Sequence, residues 1–206
     1  MILIAHRRNT RAELAATAPS LGVEIDLRSR GRQLYLAHDP FADGEDFASW
    51  LQGFAHRTLI LNVKEEGLEQ AVCAELAAHG VTDYFFLDQS FPFLLKTAAR
   101  GERRCAVRVS EFESIDTALQ LAGRIDWVWV DCFSRFPLDG MAAARLQQAG
   151  LRLCLVSPEL QGREAATEIP ALIALLQQEG IRPDAVCSKR CDLWQGFAAS
   201  LPGAST

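Results

Sequence analysis

Short apolar runs rich in β-branched and aromatic residues recur along the chain at 2–5, 23–27, 59–63, 84–87, 105–109, 127–130, 152–156 and 185–187. Their length suits strands rather than helices. Between them lie segments with helical spacing and good helix formers, at 10–17, 45–54, 66–79, 92–99, 111–121, 138–149, 164–179 and 192–200. Gly80, Gly101, Gly123, Gly150 and Gly180 follow helical runs, where a left-handed C-terminal cap favours a residue without Cβ. The pattern is βα repeated eight times. Strands alternating with helices imply parallel pairing through crossover connections, and eight units close most economically as a barrel. The expected fold is therefore α/β, a small single-domain (β/α)8 TIM barrel over residues 1–206 with short loops. An open doubly wound sheet competes, but the chain lacks the glycine-rich first turn of a dinucleotide site. One further apolar run, 33–37, follows the turn 28–32 and reads as a hairpin arm carrying His38 back over the barrel mouth.

Composition narrows the function classes. The chain is 49% hydrophobic and 23% charged, as expected of a globular protein. A net charge of −5 argues against a nucleic-acid surface, which needs clustered Lys and Arg. No run approaches the ~20 apolar residues of a membrane span, so no integral membrane segment is expected. The apolar stretch at 1–5 is too short for a signal peptide, and a cytoplasmic location follows by default. The six cysteines lack the spacing of a disulfide scaffold, and the isolated Cys187 and Cys191 pair lacks that of a zinc site; reduced thiols are expected. Nothing in the pattern fixes an oligomeric state.

The chemistry-bearing residues sit at the ends of the first apolar runs: His6-Arg7, Glu24-Ile25-Asp26, His38-Asp39 and Asn62-Val63-Lys64. Residues two apart in a strand share a face, so Glu24 joins Asp26 and Asn62 joins Lys64. Barrel enzymes draw catalytic groups from the C-terminal ends of several strands. Two carboxylates confined together repel each other unless a cation lies between them. Mg²⁺ or Ca²⁺ would suit Glu24, Asp26 and the amide oxygen of Asn62. Alternatively, Glu24 and Asp26 lie on an outer face paired with a helix residue such as Arg11, and His6 is a polar strand cap. Glu159 and Lys189, at later strand ends, are candidates for substrate contact. His56 and His79 read as ordinary helix-end residues, and Trp127-Val128-Trp129 as core packing rather than a stacking surface.

His6-Arg7-Arg8-Asn9-Thr10, Gly22-Val23-Glu24-Ile25-Asp26-Leu27 and Leu36-Ala37-His38-Asp39 together resemble the opening of the glycerophosphodiester phosphodiesterase family. That family shows His-Arg-Gly, Asn-Thr, Glu-x-Asp and His-Asp in this order. Leu61-Asn62-Val63-Lys64 resembles its Glu-x-Lys, and Ser90-Phe91 its Ser-Phe. The match covers roughly the first 90 residues. It implies a (β/α)8 barrel and metal-dependent hydrolysis of a glycerophosphodiester or related small phosphodiester, in the setting of lipid metabolism. His6 and His38 would divide the proton transfers, with Arg7 and Lys64 on the phosphate and Glu24, Asp26 and Asn62 on the ion.

Three departures carry their own expectations. Arg8 replaces the glycine and would add a phosphate contact or narrow the entrance. Asn62 replaces a metal carboxylate, which would weaken ion binding. Only 40–46 stand where an insertion follows His-Asp in the family, a feature that also brings phosphatidylinositol phospholipase C and sphingomyelinase D-like barrels into view. The alternatives are a catalytically reduced barrel that binds a phosphorylated metabolite, and a non-phosphate barrel enzyme with Lys64 as an amine nucleophile.

Overall fold

The computed structural model describes residues 1–201. In chain order the elements are β1 (Ile2–Ala5), α1 (Arg11–Ala15), β2 (Gly22–Arg30), β3 (Gln33–Leu36), β4 (Glu45–Asp46), α2 (Phe47–Leu51), β5 (Leu59–Val63) and α3 (Glu69–Ala78). There follow β6 (Tyr84–Leu87), α4 (Phe91–Ala99), β7 (Ala106–Val109), α5 (Ile115–Gln120), β8 (Trp127–Val130) and α6 (Gly140–Gln148). The chain ends with β9 (Arg152–Val156), a 3-10 turn at Pro158–Gln161, α7 (Ala165–Gln178), β10 (Ala185–Ser188) and α8 (Cys191–Ser200). The strand and helix alternation expected from the pattern is present throughout these residues. Two compact units make up the chain, one of Ala5–Cys105 and one of Met1–Ile4 with the chain from Ala106 onward.

In the Ala5–Cys105 unit, β2 pairs in parallel with β5 and β5 with β6, while β3 returns antiparallel along the far end of β2. The β2–β5 register sets Asp26 level with Asn62 and Leu27 level with Val63. With side chains alternating, Glu24 and Asp26 therefore share a face with Asn62 and Lys64. β2 runs longer than the apolar pattern suggests, because Arg28, Ser29 and Arg30 continue the strand as the hairpin partners of Tyr35, Leu34 and Gln33. Hydrophobicity marks only the part of a strand that is buried on both sides. The expected helix at 45–54 shortens to α2, since Glu45 and Asp46 first pair with β3 and Asp46 then caps the helix through the Ser49 N–H. Within the connection after His38-Asp39, Gly44 passes so close to β3 that a Cβ would collide with the Leu36 carbonyl.

In the other unit β1, β10, β9, β8 and β7 lie side by side, with β10, β9, β8 and β7 in parallel register. Trp127 is fully buried and Trp129 nearly so, with the Arg152 guanidinium 4.0 Å over the Trp127 ring. The tryptophan pair packs the core, as its sequence setting suggests. The glycines at 80, 101, 123, 150 and 180 adopt φ between 66° and 92°, the cap geometry expected of them. Among the described residues none of the six cysteines forms a disulfide. Among the described residues no helix is long and apolar enough to cross a membrane.

Candidate active site

The Ala5–Cys105 unit gathers His6, Arg7, Glu24, Asp26, His38, Asn62 and Lys64, from the turn after Ala5 and the ends of β2, β3 and β5. Glu24 and Asp26 are each 1% exposed. A carboxylate stays in such a place only when hydrogen bonds and charges replace its water. The turn after β1 provides some of these. Arg7 takes a left-handed backbone, φ 54°, which disfavours a residue with Cβ. The conformation is held because the Arg7 N–H donates to Glu24 Oε2 at 2.8 Å and the Arg8 N–H to the Glu24 carbonyl at 2.8 Å. Trp50 Nε1 then donates to the Arg8 carbonyl at 3.0 Å.

Asp26 is clasped at two points by Asn9, whose Nδ2 donates to Oδ2 while its Oδ1 accepts from the Asp26 N–H, both at 2.8 Å. Lys64 Nζ lies 3.1 Å from Asp26 Oδ1 and Arg7 Nε 3.4 Å from Oδ2. Replacing Asn9 by alanine leaves the buried Asp26 N–H unbonded. The expected loss is about 1–3 kcal/mol of stability, measured by urea unfolding. An unchanged midpoint would show that the clasp contributes nothing.

Glu24 is flanked by His6, with Nε2 3.7 Å from Oε2, and by Asn62, whose Nδ2 donates to Oε1 at 3.1 Å. Burial, and then the charge of Asp26, push the Glu24 carboxyl up to about 7, against the opposing Arg7 N–H, Asn62 amide and Lys64 charge. His38 follows β3, anchored where the Ala37 N–H donates to the Asp26 carbonyl at 3.1 Å and Arg28 Nη2 to the His38 carbonyl at 2.9 Å. Its ring is half-exposed, with Nδ1 2.7 Å from Asp39 Oδ1. The His38 hydrogen bond and charge hold Asp39 below the usual carboxylate range, helped by the fields of Arg7 and Arg28. Asp39, beside His38, thus lies within electrostatic reach of Arg7.

Beside Lys64 a cavity of about 210 Å³ is lined by Val63, Glu65, Glu66, Asp88 and Ser90. Ser90 Oγ is buried there without a hydrogen-bond partner among the described residues. A larger cavity of about 350 Å³ adjoins α3 and α4 and involves none of the candidate residues. Arg11 pairs with Glu45, not with Glu24 or Asp26, which removes the outer-face alternative for the two carboxylates.

Glu159 and Lys189 belong to the other unit. There Glu159 accepts hydrogen bonds from the hydroxyls of Ser157 and Ser188 and from the Lys189 N–H, an arrangement that ties the 3-10 turn to the end of β10. His56 hydrogen-bonds the Thr17 carbonyl, and His79 the Glu75 carbonyl. Asn9, in contrast, has a part in the site that strand-end reasoning misses, because it precedes a helix; only its place in the Asn-Thr pair marks it.

A divalent cation can be tested against this donor set. Asn62 presents its amide N–H to Glu24 and leaves Oδ1 buried without a partner. The carboxylates already face donors or cations at all four oxygens. Among the described residues no three His, Cys, Asp or Glu side chains gather so as to hold a metal ion. The residues as arranged do not fit a Mg²⁺ or Ca²⁺ site, which needs several available oxygens and excess negative charge.

No protein-family model matches the sequence, and no curated protein is similar to it. Solved structures do match. A glycerophosphodiester phosphodiesterase from Agrobacterium tumefaciens superposes with TM-score 0.68 at 14% identity, covering 97% of this chain and 99% of its own. A glycerophosphoryl diester phosphodiesterase from Parabacteroides distasonis gives 0.70 at 11%, covering 100% and 88%. The chain has the fold of the glycerophosphodiester phosphodiesterases. A mutant tryptophan synthase α-subunit from Pyrococcus furiosus also matches, with TM-score 0.57 at 11% identity over 95% of this chain and 90% of its own. The glycerophosphodiester phosphodiesterase likeness is therefore one of architecture, and reaction chemistry has to be argued from the site.

Proposed function

We propose that the protein is a phosphoric diester hydrolase acting on a small glycerophosphodiester-like substrate in the cytoplasm, its eight parallel strands closed as a single (β/α)8 barrel. The observation that carries the reading is Arg7 and Lys64 on one buried carboxylate, Asp26, with His6 on its neighbour Glu24. Phosphoryl chemistry asks for cations fixed where charge develops on the phosphate oxygens, and for groups that move a proton to the leaving oxygen. Arg7 and Lys64 serve the first need. His6 and His38 serve the second, one taking the proton of the attacking hydroxyl or water, the other giving a proton to the departing alkoxide. One P–O bond forms as another breaks. Glu24 orients His6, and Asp39 orients His38.

Lys64 is committed to an ion pair with Asp26, unlike the desolvated amine that Schiff-base chemistry uses. That disfavours the aldolase-like alternative. Binding of a phosphorylated metabolite without turnover remains the second reading, supported by Asn62 where the resemblance has a carboxylate.

Phosphorus NMR of the protein with glycerophosphodiesters, lysophospholipids and nucleoside phosphodiesters tests the proposal. A phosphomonoester or cyclic phosphate is expected from at least one of them. Binding of a phosphate ligand with no product from any would favour the second reading.

A further inference from the structure

At the two positions where the phosphate-facing motifs depart from the family pattern, charge moves in the same direction. Arg8 adds a positive charge where a glycine is expected, and Asn62 removes a negative one. Together they shift the local balance by two units, the charge of one divalent cation. The structure shows how the rest of the site accommodates this. Glu24 and Asp26 are the two buried carboxylates, and Arg7 and Lys64 match them in number. Arg8 stands outside these two pairs: its backbone is fixed on Glu24 and Trp50, its Nε is buried without a hydrogen bond, and no carboxylate pairs with it among the described residues. Asn62 faces Glu24 as a neutral donor, so it adds no charge for an ion to offset.

We propose that fixed side-chain cations replace the divalent ion in this chain: Arg7, Arg8 and Lys64 supply the positive charge at the phosphate, and Asn62 removes the carboxylate that would require a metal. The inference rests on the phosphodiester reading of the site. Arginine and lysine bind phosphate oxygens directly, Arg as a two-point fork and Lys as a point charge. Fixed cations attract the anionic substrate without a bound ion, whereas a third carboxylate would offset one of them.

Cation binding is read first, independently of turnover. Titration of the chelator-treated wild-type protein with Mg²⁺ or Ca²⁺, followed by calorimetry and thermal unfolding, is expected to give no saturable heat and no rise in Tm. Asn62→Glu, alone and with Arg8→Gly, is expected to unfold at lower temperature in EDTA and to recover on adding either ion. The same phosphorus NMR assay should then show a wild-type rate unchanged by EDTA. Saturable wild-type binding of either ion, or loss of product in EDTA, would overturn the inference. If the variants fail to fold, the wild-type titration alone decides. If no diester is turned over, the phosphodiesterase reading fails, and saturable binding of either ion to the wild-type protein would still refute the cation replacement.

Discussion

Replacing His6 by alanine is expected to lower kcat/KM toward the diester substrate by roughly 10²–10⁴-fold, with the fold retained. The imidazole is 15% exposed, its Nε2 lies 3.7 Å from Glu24 Oε2, and it directly follows the buried end of β1, so its orientation is set by scaffold rather than by a mobile loop. Removal leaves the carboxylates and their cations in place. The loss should therefore appear in kcat more than in KM, because the proposed phosphate contacts, Arg7 and Lys64, are kept. His38→Ala should give a loss of the same order. In the proposed mechanism the two rings act on opposite ends of one transfer, so the double variant should be far less damaged than the product of the single losses. Steady-state kinetics on the three variants tests this; a His6→Ala enzyme with an unchanged kcat would remove the histidine from the mechanism.

The second large effect is on stability. The Glu24 carboxyl stands near 7 in the folded chain against an ordinary value of 4.5, chiefly because it is buried and then because Asp26 is close. Below pH 4.5 the group is protonated in both folded and unfolded chains, and its favourable contribution is complete. As pH rises from there through about 7, the unfolded chain releases the proton first and the folded state loses that contribution. The loss is on the order of 3 kcal/mol, roughly 6–12 °C in Tm for a chain of this size.

Glu24→Gln should abolish this part of the slope, so that the variant in EDTA matches wild type near pH 4.5 and exceeds it at pH 8. The geometry allows it. A glutamine can accept the Arg7 N–H through its oxygen and donate to Asn62 Oδ1 once that amide turns, using an atom that has no partner in the wild-type chain. Thermal unfolding of both proteins across this range measures the difference, and parallel curves would show that Glu24 is not the group responsible.

Much of this was legible in the residues. The alternation of apolar runs and helical spacing is local, written in short windows, and the strands at 2–5, 59–63, 84–87, 127–130 and 152–156 carry it without interruption. The carboxylates could be placed because alternation fixes which residues of β2 and β5 share a face. Hydrogen-bond partners were not legible. Asn9 reaches Asp26 across 17 positions, and Trp50 reaches Arg8 across 42, distances over which only the folded chain decides. The direction of the Asn62 amide was equally hidden, since the same side chain can offer oxygen or N–H and its neighbour Glu24 makes the choice. The left-handed turn at Arg7 has no glycine to announce it.

The hairpin of β2 and β3 has a practical consequence. Its near end carries both the buried carboxylates and His38, while its tip, at Gly31-Arg32, lies beyond the paired rows Leu27 with Leu36 through Arg30 with Gln33. A side chain at Gly31 would meet nothing within 4 Å. A peptide tag, a fluorophore or an immobilisation anchor inserted at this tip is separated from Glu24, Asp26 and His38 by several cross-strand rungs, so the tip offers a handle for single-molecule work that leaves the carboxylate end of the ribbon undisturbed.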